Sequence, residues 1–255
     1  MTFSLDQFMY YVCILIRISG FVYTAPFFSM NNVPRKVKTG FSMALALIIF
    51  NVIPYEPLEY NTVIDFGIIV VKEVLAGVLM GFFANIAFRI LSFAGHLIDI
   101  EIGFSMAQEY DPVTSANVTV SANLYSYAVT LMLLVTYMHH HILQAFVDAY
   151  RLIPVGGVDI NVSIYALMTE YMTDYFIIAF RIVLPLFAVI LVINVVLAIL
   201  AKVAPQMNMF VIGMQLKVIT GLAVFIFMAG MLMNVSDHIF NEMFYMMKSV
   251  IEYLR

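Results

Sequence analysis

The amino-acid sequence predicts an all-α, polytopic membrane protein with about six hydrophobic helical segments. Hydrophobic residues make up 64% of the 255 residues and charged residues only 11%, whereas soluble domains contain about 45–50% and about 25%, respectively. Several apolar runs are long enough to cross a bilayer as helices, at a rise of about 1.5 Å per residue. A soluble domain of this length could not bury so much apolar surface, so we expect the chain to lie in a membrane.

Charge, cysteine content and motifs exclude several functional classes. The net charge of −4 argues against nucleic-acid binding, and the single cysteine, Cys13, permits no intrachain disulfide. The first charged residue is Asp6 and no basic segment precedes it, so we expect a retained first helix rather than a cleaved signal peptide. The sequence has no serine-hydrolase, zinc-protease or nucleotide-binding motif. We therefore predict no enzyme activity, no cofactor and no metal.

The first two apolar runs differ in length. Phe8–Phe28 is long enough to span a bilayer and contains one charge, Arg17. A basic loop follows, and then Gly40–Ile53, which has only 14 residues. A full span usually needs about 20 residues, so this second segment is either a short span or a re-entrant segment.

The longest predicted helix covers Val63–Ile102. As one helix its 40 residues would measure about 60 Å, against a hydrocarbon core of about 30 Å. We expect it to bend or to extend beyond the membrane. Gly77 and Gly81 have the small-xxx-small spacing that lets another helix approach closely.

A polar stretch, Gly103–Asn123, interrupts the apolar pattern. It carries Gln108, Glu109 and the turn signal Asp111-Pro112 among several serine, threonine and asparagine residues. Two interpretations are open at this point. The stretch is either an ordinary surface loop or a segment inside an assembly that blocks or lines a path.

The second half of the chain contains the remaining predicted spans, Leu124–Met138, Tyr175–Leu200 and Met209–Val235. Pro185 should kink the middle one of these. The residues between 144 and 174 have mixed polarity, with a turn signal at Pro154, Gly156 and Gly157. Three consecutive histidines from residue 139 would point in different directions on a helix, which makes a poor metal site. The tail Ser236–Arg255 has the spacing of an amphipathic helix.

Six charged residues lie within or beside apolar runs, where we expect subunit interfaces or a pore: Arg17, Lys72, Glu73, Arg89, Arg181 and Lys217. A charge at the bilayer centre costs about 2.5–3.5 kcal/mol on insertion scales. Five bases cannot be neutralised by one acid, although Asp99 and Glu101 could pair with one or two of them. Arg17 and Lys217 could instead extend to the membrane surface. The remaining charges indicate a watery interior or acidic partner chains.

Several motifs occur in an order that resembles the FliR/SctT family. They are Ala25-Pro-Phe-Phe28, the segment from Gly95 to Gly103 that leads to Asp111-Pro112, Leu152-Ile-Pro-Val-Gly156, and Ala204-Pro-Gln-Met-Asn-Met-Phe210 followed by Gly213 and Lys217. Members of this family are export-gate proteins of flagellar and injectisome type III secretion systems. The resemblance covers nearly the whole chain.

The resemblance implies an architecture and a set of partners. Residues 1–170 would be FliP-like and contain the polar loop, whereas residues 171–255 would be a FliQ-like helical hairpin with an amphipathic tail. The chain would join FliP and FliQ in a hetero-oligomeric gate, with FlhB and FlhA nearby. This gate would lie in lipid, in the bacterial inner membrane at the flagellar basal body, and would pass exported flagellar proteins.

The resemblance also implies that residues 103–123 plug the closed pore. The plug residues would be Gly103, Phe104, Ser105, Met106, Gln108, Tyr110, Asp111 and Pro112. The apolar ones suit a deformable seal, because methionine repacks easily. Two alternatives stay open: an injectisome gate subunit, and a stand-alone secondary transporter with its substrate near Pro185.

Overall fold

The computed structural model describes residues 4–30, 32–104, 108–111, 116–161 and 163–255. These residues form eight α-helices and one two-stranded hairpin: α1 (Leu5–Thr24), α2 (Arg35–Val52), α3 (Val63–Ile102), β1 (Gln108–Asp111), β2 (Ala116–Thr119), α4 (Val120–Val135), α5 (Met138–Leu152), α6 (Ile164–Val203), α7 (Met209–Ala229) and α8 (Leu232–Tyr253). The predicted all-α class is confirmed. Within the described residues the hairpin is the one addition to it.

Local sequence signals set the ends of the first two helices. The Ser4 hydroxyl accepts the Gln7 N–H, and the Gln7 side chain accepts the Ser4 N–H, which is a capping box at the start of α1. Ala25 ends α1 immediately before Pro26, and Ile53 ends α2 immediately before Pro54. A residue before proline is disfavoured in helical conformation, so both helices stop there.

Two helices are much longer than a bilayer is thick. α3 and α6 contain 40 residues each, which corresponds to about 60 Å. α3 has the predicted limits, whereas α6 starts at Ile164 rather than at the predicted Tyr175. The prediction left Glu170 and Asp174 in the segment of mixed polarity before this span, yet a helix that extends beyond the apolar layer can carry both. α6 is helical on both sides of Pro185, and the kink expected there stays a prediction.

Three helices are long and apolar enough to cross a membrane: α1, α6 and α7. α4 and α5 pass the same test only as a pair, with a bend of 73° between them. The bend lies at Tyr137, whose φ of +57° is left-handed. The described part of the chain therefore has three candidate spans, or four if the bent pair is one span. Four of the six predicted apolar segments lie in these candidate spans. The other two segments correspond to α2 and α3, which are not candidate spans.

The chain divides into two compact units. The first comprises Met1–Phe88, Leu134–Met172 and Phe240–Arg255. In this unit α1 and α3 touch at Gly77 and Gly81, where an added Cβ atom would overlap α1 backbone and Thr24 atoms. The predicted close approach is thus made within the chain, and it brings α1 backbone directly against α3.

The second unit comprises Arg89–Leu133 and Thr173–Ile239. α6 and α7 run antiparallel in it, because a Cβ on Gly213 would lie 2.9 Å from Cδ1 of Leu197, across the short connection between the two helices. α7 also packs on the end of α3, where Gly221 leaves room for Ile102.

The polar stretch forms an antiparallel hairpin in this second unit. β1 and β2 pair in a register that joins Gln108 to Thr119 and Asp111 to Ala116. The prediction of a break between two helices is confirmed, but the strands were not predicted. The signal was present, since the residues from 116 to 120 include the β-branched Val118, Thr119 and Val120.

Candidate functional site

The site begins where α3 ends. Gly103 has a φ of +98°, and its N–H donates to the Asp99 carbonyl at 3.0 Å. This left-handed residue closes the helix, and glycine adopts that conformation without the penalty that a side chain would bring. Phe104, the next residue, is half-buried. The chain therefore leaves α3 through a defined turn.

The Asp99 carboxylate fixes the return of the chain into α4. Asp99 is fully buried. Its Oδ2 accepts the backbone N–H of Ser121 at 2.7 Å, and its Oδ1 accepts the Ser121 hydroxyl at 2.6 Å. The first N–H groups of a helix lack intrahelical partners and carry a partial positive charge. A carboxylate from α3 thus caps α4, instead of pairing with a base as we considered from the sequence.

Two further contacts complete the attachment. The Thr119 hydroxyl lies 3.1 Å from Nδ1 of His96, and Gly95 packs so closely on Ala122 that a Cβ would overlap its backbone. We call these six residues the hairpin anchor: Gly95, His96, Asp99, Thr119, Ser121 and Ala122. The anchor connects the end of β2 and the start of α4 to the last two turns of α3.

The predicted plug residues fall in three groups. Gly103 and Phe104 lie in the turn after α3, and Gln108, Tyr110 and Asp111 lie on β1. Ser105, Met106 and Pro112 are outside the described residues. Asp111 pairs with Ala116 at the end of the strands farthest from the anchor. Asp111 is therefore at the opposite end of the β1–β2 register from Thr119.

Two of the six predicted intramembrane charges meet in the first unit. Arg17 on α1 and Glu73 on α3 are both fully buried and form a bidentate ion pair. The guanidinium Nε donates to Oε2 of Glu73, and Nη2 donates to Oε1 at 2.8 Å. Planar guanidinium and carboxylate groups match in this geometry. Arg17 is thus neutralised inside the chain and does not extend to the membrane surface.

The turn after α5 satisfies the rest of this ion pair. Arg17 donates to the carbonyl oxygens of Ile153 at 2.9 Å and Pro154 at 3.1 Å, and the Gly156 N–H donates to Oε1 of Glu73 at 2.7 Å. The Arg17 guanidinium carbon lies 4.5 Å from the centre of the Tyr150 ring. A buried charge is tolerated only when its hydrogen bonds are made, and here the turn predicted at Pro154 and Gly156 makes them.

The other predicted charges are less buried. Lys72 lies 3.7 Å from the Asp159 carboxylate, with side chains 38% and 80% exposed. Lys217 is half-buried, and Arg89 and Arg181 are exposed on the surface of the isolated chain. The structure therefore brings Arg17 and Glu73 together, and none of the other four basic groups is fully buried.

Sequence reasoning missed three parts of this arrangement. It did not identify Asp99 as a helix cap, although an aspartate next to a break between two helices is a common cap signal. It did not assign Asp159 as the partner of Lys72. The carbonyl acceptors of Arg17 had no sequence signal, because every residue carries a carbonyl.

Among the described residues, no group of three or more histidine, cysteine or acidic side chains could hold a metal ion.

Comparison with known proteins identifies the family. The profile of the bacterial export proteins, family 1, matches residues 8–243. The chain is 28% identical over 242 residues to the flagellar biosynthetic protein FliR of Escherichia coli strain K12, covering 94% of this chain and 92% of that protein. It is 30% identical over 242 residues to FliR of Bacillus subtilis strain 168, with 93% and 92% covered. For FliR of Aquifex aeolicus strain VF5 the identity is 26% over 232 residues, with 89% and 88% covered. The chain therefore belongs to the bacterial export proteins, family 1, and is a relative of the flagellar biosynthetic proteins FliR.

Proposed function

We propose that the chain is a subunit of the inner-membrane export gate of the flagellar type III secretion system. Together with FliP and FliQ it forms the pore through which unfolded flagellar proteins are exported, with FlhB and FlhA as neighbours at the basal body. Its polar hairpin plugs the pore when the gate is closed. The family description and the flagellar relatives support an export role.

The anchored hairpin is the observation that carries the plug proposal. A two-stranded hairpin has an unpaired row of backbone N–H and C=O groups on the outer edge of each strand. Lipid cannot satisfy these groups, so such backbone occurs at membrane depth only inside protein or in a water-filled cavity. β1 follows the strongly apolar helix α3, and β2 precedes the strongly apolar helix α4. The anchor connects β2 to α3. This arrangement supports a hairpin that lies within a multi-chain assembly.

A basic group on α7 gives independent support. Lys217 is half-buried and lies within a long apolar stretch. Against lipid its charge would cost about 2.5–3.5 kcal/mol. Acidic partner chains or a watery pore would remove that cost. In the proposed gate, residues 1–170 take the FliP-like place and residues 171–255, with the α6–α7 pair, the FliQ-like place.

The alternative of a stand-alone secondary transporter has one observation in its favour. A cleft beside Pro185 contains Arg181 and His238, and transporter sites are often formed at interrupted helices. Purified chain alone in liposomes distinguishes the two functions, because a transporter would take up substrate without partners. Complementation of strains that lack either the flagellar or the injectisome subunit distinguishes the two secretion systems.

The hairpin register allows a clean test of the plug. Gln108 and Thr119 are opposite each other, so a two-residue Asn-Gly turn can replace residues 109–118 while the anchor stays intact. In cells that express the whole gate, we expect this variant to leak small ions and solutes, because the seal is removed. FliP and FliQ should still copurify with the variant, which shows that the gate assembles.

The control changes a polar loop elsewhere in the same chain. Glu56 and Glu59 are exposed in the connection between α2 and α3, and their replacement by serine should leave the membrane tight. An assembled gate that stays tight without the hairpin would refute the plug. Failure of FliP and FliQ to copurify with the unmodified chain would refute the gate proposal itself.

A further inference from the structure

The second unit contains a small open cleft beside Pro185. Its volume is about 220 Å³, and it lies where α6 faces the junction between α7 and α8, next to α4. Most of its wall is apolar and includes Ile182, Pro185 and Met228. Pockets that enclose a whole small molecule usually have about 300–1,000 Å³. This cleft is therefore suited to one part of a larger, elongated ligand.

Side chains that can donate hydrogen bonds also line the cleft. Arg181 on α6 and His238 on α8 both line the cleft and are exposed, and Asn234 also lines it. None of the eleven lining residues, each of which the structure describes, is acidic. Asp237 precedes His238 in the chain but does not line the cleft. The cleft thus combines an apolar surface with donors for an anion.

The position of the cleft along the membrane normal follows from the α6–α7 pair. α7 has 21 residues, or about 32 Å, which matches a hydrocarbon core of about 30 Å. The contact between Gly213 and Leu197 fixes the antiparallel pairing of the two helices. Arg181 then lies at the level of the C-terminal end of α7, which is the end remote from Lys202. If α7 is the membrane-spanning helix, this places the Arg181 guanidinium near the lipid headgroups rather than at the bilayer centre.

We propose that this cleft binds an anionic phospholipid. The phosphate receives hydrogen bonds from Arg181 and His238, and the first part of one acyl chain lies on Ile182, Pro185 and Met228. Basic pockets between membrane helices bind anionic headgroups in this way, because the charge pairs with the phosphate while the chain buries apolar surface. The inference is independent of the export-gate proposal, since it concerns the chain alone.

The test uses the full-length chain purified in mild detergent. Phosphatidylglycerol and phosphatidylcholine with the same acyl chains are titrated in turn, and bound lipid is counted by native mass spectrometry. We expect tighter binding of phosphatidylglycerol. The double variant Arg181→Gln and His238→Gln should weaken it by about tenfold or more, and Lys202→Gln should not, because Lys202 lies at the other end of α6. Ile182→Trp should weaken both lipids, since it fills the apolar wall and keeps both basic groups.

Several results would overturn this inference. Equal binding of the two lipids, or the same loss in the Lys202→Gln control as in the double variant, would exclude a specific headgroup site. If inorganic phosphate alone displaces phosphatidylglycerol while Ile182→Trp binds normally, the cleft takes a soluble anion and no acyl chain. A partner helix found in the cleft of the purified gate, with no lipid bound, would assign the cleft to protein contact instead.

Discussion

The Arg17–Glu73 ion pair provides a sharp test of the packing. Replacing Glu73 by glutamine keeps the shape but removes the negative charge, so the Arg17 guanidinium stays buried without a counter-charge. The glutamine amide nitrogen would also place donors at one of the two carboxylate oxygen positions, where either Arg17 Nε or the Gly156 N–H already donates. Breaking a buried pair by changing one partner costs about 3–5 kcal/mol. For a chain of this size, that lowers the melting temperature by on the order of 10 °C.

The chain carries its own reporter for this measurement. Cys13 is the single cysteine and is completely buried on α1, one turn before Arg17. A thiol-reactive fluorophore therefore labels the protein only when the core around α1 opens. Heating the purified protein in detergent with the fluorophore gives the melting temperature of wild type and Glu73→Gln from the same residue.

Lys72→Gln is the matched control, because it removes a charge from the adjacent residue. The pair of Lys72 with Asp159 is 3.7 Å long and largely exposed, so its loss should cost no more than about 1 kcal/mol. The double variant Arg17→Met and Glu73→Gln should lose less stability than the sum of its two single changes, since neither charge is left alone. A Glu73→Gln melting temperature within about 2 °C of wild type, or equal to that of Lys72→Gln, would refute the argument.

Two further predictions concern glycine contacts and the hairpin anchor. Gly77→Ala should destabilise the protein by about 1–3 kcal/mol in the Cys13 assay, because its Cβ has no room against α1. The control is Gly67→Ala on the same helix, where an added Cβ meets nothing within 4 Å, so the free energy of unfolding should rise by up to about 1 kcal/mol. Equal effects of the two changes would contradict the close contact. Asp99→Ala should remove a cap worth about 1.5–3 kcal/mol, so hydrogen–deuterium exchange at the start of α4 should accelerate about tenfold or more, with exchange in α1 unchanged. Unaltered exchange at Ser121 would show that Asp99 does not hold the hairpin.

The helices could be predicted because their signals are local. Apolar runs, prolines and glycines indicate α1, α3 and α7 within the chain itself. α3 has the limits that its hydropathy indicates, whereas α7 ends at Ala229, before the predicted Val235, and α8 begins at Leu232. The predicted start of α6 was wrong because charged residues occur both in loops and on helices that extend into water. They mark a loop in a membrane-embedded segment, but they are ordinary on a helix that extends into water.

The unusual charged residues of the candidate site could be predicted from the sequence, whereas the contacts between them could not. Arg17 and Glu73 were both recognised as unusual, but they are separated by 56 positions in the chain, and no sequence pattern states that α1 packs there. Their backbone partners at Ile153, Pro154 and Gly156 depend entirely on the tertiary structure. Asp99 was considered as a counter-charge, whereas its partners are the backbone N–H and the hydroxyl of Ser121 on α4. Such contacts arise from how helices pack, which residue types alone do not determine.

Electrical recording in a planar lipid bilayer tests the plug in isolation from the cell. The purified gate is inserted with either the intact chain or the variant in which Asn-Gly replaces residues 109–118. We expect the intact gate to stay closed and the variant to show a steady ionic conductance at the same protein density. A closed variant gate that still contains FliP and FliQ, or an intact gate that conducts equally, would contradict a hairpin that seals the pore.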